Sequence, residues 1–281
     1  MIDTLKKKVK KGYRSASAAV IDALFSSTPA DLSTALRRLG IERGDVLLVH
    51  ASFGALKGFK GTAVDAIRCF QEAVGETGAL LMPNQPFNGL AIDYARSGKV
   101  FDVRRTASQM GLLAEIFRRM PGVLRSVHPT HPVAVWGRGA AELIANHHRA
   151  ATPCGAGSPY AGFAKRGGKM IFLGIEISVM TYFHTLEEEL EPLMSKSPFT
   201  TEDFTLLSKD EHGNVVTTTT RLFDPKMSRK RNLDRLEQEL EQRGAIGRTR
   251  MSLTPIIAVE AAAVATLCRE RAREGRFFYD D

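Results

Sequence analysis

Residues 46–83 read VLLVHASFGALKGFKGTAVDAIRCFQEAVGETGALLMP. The run VLLVHAS is short, apolar and bounded by turn residues, which marks a buried strand. After it come Gly54, Gly58 and Gly61, and then a helical pattern for which Thr62 is a natural N-cap. GETG supplies a turn, ALLMP a second apolar strand, and the proline a stop. Strand, glycine-rich loop, helix and strand in succession indicate a sheet with crossover helices, an α/β architecture.

Upstream, residues 33–39 have helical spacing and GIERGD breaks it. The basic start of the chain reads as an amphipathic helix. Downstream, the pattern weakens over residues 84–108, which read as a loop or insertion with a functional role, because long structureless connections are uncommon in compact domains. MGLLAEIFRRM resumes helical periodicity, SVHPTHPVAVWG is extended, AAELIANHHR is a short helix, and MIFLGI after Gly167 and Gly168 is another buried strand. Residues 181–191 are helical up to Pro192. Two β-type runs around DEHGN form a hairpin, Gly213 and Asn214 accepting positive φ. NLDRLEQELEQRG and AVEAAAVATLCRERAREG close the chain as helices. There is no internal repeat or low-complexity linker, so one domain over residues 1–281 with a C-terminal hairpin and helical part is the simplest organisation.

Composition agrees with a packed protein: 43% of residues are hydrophobic and 25% charged. No apolar run nears the length of a membrane span, and the N-terminus lacks the contiguous apolar segment of a secretory signal. Cys69, Cys154 and Cys268 are too few and too scattered for a disulfide framework or a zinc cluster. A reducing cytoplasm fits. The net charge of +8 favours anions, and among these a phosphorylated cofactor ranks above nucleic acid, because the basic residues are not interleaved with aromatics.

Four stretches can carry chemistry. In TYFHTLEEELE, residues 181–191, helical spacing puts Thr181, His184 and either Glu187 or Glu188 on one stripe. A glutamate bonded to one imidazole nitrogen leaves the other free to take a proton, while a solvated acidic face explains the same spacing. In HASFGALKGFKG, His50 to Gly61, a turn leading into a helix presents N–H groups to a phosphate, with Ser52 and Lys57 as further donors. A plain strand-to-helix turn is the other reading. RSVHPTHP gathers Arg125, Ser126, His128, Thr130 and His131 on a proline-stiffened segment, either for a ligand or as an edge strand, and its composition argues against a metal centre. The last stretch, CGAGSPY, contains Cys154, a nucleophile only if a base lies close in space.

Taken in order, LLVHASFGALKGFKG, AVGETGALLMP, GLLAEIFRRMPGVLRSVHP, GAGSPY and GGKMIFLGIEISVMTYFHTLEE resemble the aminoglycoside 3-N-acetyltransferase family from about Leu32 to Glu191. The resemblance implies an α/β fold with a mixed central sheet flanked by helices, an acyl-CoA donor such as acetyl-CoA, and acyl transfer to the amine of an amino sugar. It implies that His184 is the base, oriented by Glu187 with Glu188 as the fallback, and that Thr181 or nearby N–H groups hold the oxyanion. It places CoA against His50, Ser52, Phe53 and Lys57 and against Arg125 and Ser126. It puts the acyl-CoA and catalytic part at residues 32–191 and the rest at 192–281. Self-association is left open.

One feature departs from a drug-modifying member. Over residues 84–119 Asp93, Asp102 and Glu115 are outnumbered by Lys and Arg, whereas a polycationic acceptor needs acids. Glu188, Glu189 and Glu191 are available to compensate, and a nucleotide-linked amino sugar is the alternative acceptor. A basic nucleic-acid-binding protein is the alternative outside enzymes.

Overall fold

The computed structural model describes residues 25–280. The basic helix expected at the N-terminus lies outside the described residues. In chain order the elements are α1 (Pro29–Arg38), β1 (Val46–Ala51), α2 (Ala63–Val74), β2 (Ala79–Pro83), α3 (Ala91–Arg96), β3 (Phe101–Asp102), α4 (Leu112–Phe117), β4 (Leu124–Arg125), β5 (Val133–Gly137), α5 (Ala140–Ile144), α6 (Pro159–Lys165), β6 (Lys169–Leu173), α7 (Phe183–Leu190), β7 (Phe199–Lys209), β8 (Val215–Phe223), α8 (Pro225–Lys230), α9 (Leu233–Gln242), β9 (Ile246–Met251), β10 (Thr254–Glu260) and α10 (Ala261–Arg273).

Seven strands form the central sheet in the order β4-β5-β2-β1-β6-β10-β9. β1 runs parallel to β2 and to β6, and antiparallel pairs flank this trio on both sides. The sheet is therefore mixed, as expected. Alternation along its strands sorts two cores. Leu47, Val49, Leu80 and Ile171 pack with α1, α2 and α4, while Leu48, Leu81, Met170 and Phe172 pack with α6, α7, α9 and α10. All eight are at most 2% exposed. Thr62 does cap α2: its hydroxyl accepts the Asp65 N–H at 3.2 Å while the Asp65 carboxylate accepts the Thr62 N–H at 2.8 Å, a reciprocal capping box.

Three segments differ from the sequence expectation. Residues 84–108 contain α3 and β3, and α3 packs Ala91, Ile92 and Ala95 against Phe204 and Leu222 of a second sheet, β3-β7-β8. The expected hairpin is β7–β8, with Gly213 at φ 87° while Asn214 instead donates its N–H to the Asp210 carboxylate. The stretch AVE belongs to β10 rather than to the last helix, and β9–β10 is a further hairpin that completes the central sheet.

β1 to β2 leads to one side of β1, and β6 lies on the other, so the carboxyl ends of β1 and β6 border a topological switch point, where open α/β sheets bind ligands. The segment after β6 turns into α7 from this edge, which delivers His184 to it.

Candidate active site

His184 sits on the first turn of α7, and its N–H is accepted by the carbonyl of Thr181 at 3.1 Å. Thr181 itself is buried just ahead of the helix. The ring Nδ1 meets Glu187 Oε2 at 2.6 Å, one turn further on. Glu187 is 2% exposed but is not alone. Arg231 donates to it through Nε at 2.6 Å and through a terminal nitrogen at 3.1 Å, and the Tyr279 hydroxyl donates to its Oε1. Burial by itself would raise the carboxyl; its interactions with His184 and with the Arg231 guanidinium, hydrogen bonds included, outweigh it and hold Glu187 at about 2.

An ionised carboxylate only accepts, so Nδ1 carries the hydrogen and Nε2 holds a lone pair. Burial lowers the His184 imidazole from its ordinary value, with the Arg231 charge adding to the effect, and the pull of Glu187 does not reverse it. His184 is thus oriented by Glu187 and carries its lone pair on Nε2. With 19% of its side chain exposed, it lines a cleft of about 450 Å³ shared with Ser178, Ser228, Arg231, Asp234 and Asp280. Phe223 packs on its ring at 4.3 Å between centroids.

Glu188, the fallback acid, does something else. It accepts from the Thr152 hydroxyl and, at 2.9 Å, from the Ala156 N–H, while Thr185 donates to the Cys154 carbonyl at 2.7 Å. The loop passes so close that a Cβ on Gly155 would overlap the Glu188 carboxylate. One stripe of α7 holds the His184–Glu187 pair and another pins the CGAGSPY loop. Cys154 is fully buried and its thiol is pushed well up by that burial, which does not suit a nucleophile.

The other sequence candidates fall into two groups. His50 comes close to the dyad: it stacks on Phe172 at 5.1 Å, and burial, with His184 nearby, pushes it down to about 3. Ser52 and Phe53 are half-buried in the turn beyond it and Lys57 is exposed. That turn bonds the N–H groups of Ser52, Ala55, Leu56 and Lys57 internally or to β6, and the capping box occupies the start of α2, so fewer donors face outward than the sequence suggested.

Arg125 and Ser126 are engaged within the protein. Arg125 is 6% exposed, lies over the Phe101 ring at 4.6 Å, and spends its terminal nitrogens on the carbonyls of Asn84, Val103 and Thr106. It ties the 84–106 segment to the sheet and is engaged by backbone rather than free for a pyrophosphate. Ser126 accepts the Val133 N–H at 2.8 Å and bonds His147 Nδ1 at 2.8 Å. Because His147 Nε2 must donate to the Pro153 carbonyl, Ser126 is the donor in its bond with Nδ1 and its one hydrogen is spent. Thr130 and the rings of His128, His131 and His147 complete this buried polar layer, His128 stacking on His147 at 4.5 Å.

Sequence reasoning missed Arg231 and Tyr279. Arg231 stands in the run RKRN, where it reads as surface charge, and Tyr279 is two residues from the end. The other acids of EEELE are also committed: Glu189 takes Arg269 at 2.5 and 2.8 Å, and Glu191 takes Arg221 at 2.7 Å on each oxygen. Among the described residues no helix is long and apolar enough to cross a membrane.

Comparison with known proteins places the fold. The fold matches that of the aminoglycoside acetyltransferase AAC(3)-IVa in complex with a gentamicin, with a TM-score of 0.75 and 21% identity over 92% of this chain and 93% of that one. AAC-IIIb in its binary complex with CoASH matches with a TM-score of 0.73 and 20% identity over 91% and 99% of the two chains. In sequence, aminoglycoside N(3)-acetyltransferase III of Salmonella sp is 32% identical over 168 residues, 56% of this chain and 58% of that protein's length. The family model for aminoglycoside 3-N-acetyltransferase matches residues 48–272, most of the chain and all of the dyad, so the chain belongs to the aminoglycoside 3-N-acetyltransferase family.

Proposed function

We propose that the protein is an acyl-CoA-dependent N-acyltransferase that moves an acetyl group from acetyl-CoA to an amine of an aminoglycoside-type amino sugar. The observation that carries this reading is the His184–Glu187 pair at 2.6 Å, opening on a cleft beside the switch point of a sheet that this family shares. The structure solved as AAC-IIIb with CoASH supports the donor, and that of AAC(3)-IVa with a gentamicin supports the acceptor class.

In this reading an ammonium cannot attack, so the acceptor enters as the free amine or loses its proton at the site. As nitrogen adds to the thioester carbonyl, His184 Nε2 takes the N–H proton, and Glu187 steadies the imidazolium. The tetrahedral oxyanion is held by Thr181 or neighbouring N–H groups. Collapse breaks the C–S bond, and the imidazolium returns its proton to the leaving thiolate. The Ser52 to Lys57 turn with His50 borders the route of the pantetheine arm, the role that Arg125 and Ser126 are too engaged to share.

Acceptor identity has a second reading with its own observation. Glu188, Glu189 and Glu191 are all spent inside the protein and do not offset the basic 84–119 segment, which favours an anionic, nucleotide-linked amino sugar. Asp234 and Asp280, which line the cleft, favour the cationic one. Thiol release from acetyl-CoA with a panel of both kinds of amine decides between them: turnover of aminoglycosides alone supports the first reading, nucleotide amino sugars alone the second, and no thiol release with any amine contradicts both.

A further inference from the structure

The carboxylate that orients His184 is saturated. Its Oε2 takes His184 Nδ1 at 2.6 Å and an Arg231 nitrogen at 3.1 Å, and its Oε1 takes Arg231 Nε at 2.6 Å and the Tyr279 hydroxyl. Each oxygen has about two acceptor positions, so no rotation of the group is possible without breaking bonds. Both clamping residues come from the C-terminal third, 44 and 92 residues away from Glu187.

Their own placement is tightly built. Arg231 lies over Phe223 at 5.1 Å, the same ring that packs against His184. Tyr279 arrives on a strap laid antiparallel across residues 230–235: Asn232 N–H donates to the Phe278 carbonyl at 2.9 Å, Asp280 N–H to the Lys230 carbonyl at 2.7 Å, and Arg231 and Tyr279 form a β-bridge. The Asn232 side chain also donates to Asp280 at 2.6 Å.

We propose that Arg231 and Tyr279 are positioning residues for the base, fixing the direction in which Glu187 presents Oε2 and cancelling much of its charge. This rests on the reading of His184 as the base. A lone buried carboxylate beside an imidazole would orient it but also draw a proton onto it, leaving an imidazolium that cannot accept another. A carboxylate already paired with a guanidinium orients the ring and leaves it neutral. The other titratable groups facing His184 do not replace Arg231 in this role. His50 from β1 and His131 from the stretch before β5 are buried and held neutral, and Asp234 and Asp280 across the cleft would favour the imidazolium.

Ring-carbon NMR titration of His184, assigned by the signal lost in H184A, tests the idea without needing an acceptor. In R231M the titration should move up by about one pH unit, the order expected when a like charge is removed from contact range. Y279F should move it in the same direction by less, because the hydroxyl draws on the same carboxylate, and R231K should leave it near wild type. Thiol release should show a lower kcat for Y279F, roughly tenfold, with an unchanged KM for acetyl-CoA. A purely structural role would alter thermal stability and leave the ring titration in place. If R231M does not fold, R231K and Y279F still report: a Y279F titration that overlays wild type or moves down overturns the proposal. Turnover retained by H184A would instead sink the base assignment, whatever the titrations show.

Discussion

Glu187 and Glu188 are neighbours of the same type on the same helix, yet they serve different ends, because consecutive helical positions point about 100° apart. Glu187 turns inward to His184, and Glu188 turns to the Gly155 loop. E187Q should therefore lower thiol release by at least about a hundredfold through the wrong tautomer or a misaimed ring. It also leaves the Arg231 charge buried without its partner, a cost of about 3–5 kcal/mol. E188Q should weaken the loop but keep His184 oriented, with a loss of activity far smaller than that of E187Q. Kinetics and melting of the two variants side by side check this, and equal losses of kcat would contradict the division of labour. At this scale the helical spacing offered His184 two partners, Glu187 and Glu188, because i+3 and i+4 share its face, and only the family resemblance chose between them. Arg231 and Tyr279 were not legible, since nothing local links positions 231 and 279 to 187. The backbone engagement of Arg125 was not legible for a chemical reason: a guanidinium that suits phosphate oxygens suits buried carbonyls equally well.

At the scale of elements, the strands that decide the fold announce themselves, because β1, β2 and β6 are buried on both faces and read as unbroken apolar runs. The start of α2 was equally legible. Removing its cap in T62A should cost about 1 kcal/mol, visible as a lower urea midpoint, without changing kcat; an unchanged midpoint would show that the capping box contributes nothing. The hairpin β9–β10 escaped for two physical reasons. Its edge strand carries Arg248 and Arg250, charges typical of exposed edges but not of strand signals, and its turn places Ser252 at φ 52° where a Gly or Asn would have marked it. Ile256 to Val259 then runs straight into an alanine-rich helix, and a short apolar run beside a helix has no period of its own.

For the molecule as a whole, four histidines are buried where charging them is costly. Burial lowers His50 to about 3 and His147 to about 4, and depresses His128 and His131 well below the ordinary value. In the unfolded chain they bind protons from about 6.5 downward, whereas the folded chain does not. The unfolded state therefore holds more protons over that window, and stability, complete above about pH 6.5, falls as the pH drops. Urea midpoints should decrease between about pH 7.5 and about pH 5, before the carboxylates contribute; a midpoint that rises on acidification would contradict the neutral burial of this layer. The same economy of charge runs along residues 187–191, where Glu187, Glu189 and Glu191 pair with Arg231, Arg269 and Arg221 from the C-terminal part. The residues after 191 thus complete both the sheet and the surroundings of the His184–Glu187 pair, although the segments that carried the resemblance in the sequence lie before them.

In the proposed reaction one neutral imidazole, at position 184, accepts the proton that lets an amine attack a thioester. Thiol release from acetyl-CoA by H184A, compared with wild type on the best amine of the panel and paired with a melting curve, tests it most directly. The expected outcome is a fold that melts near wild type and turnover reduced to the uncatalysed level. Turnover near wild type from a folded H184A protein would contradict it.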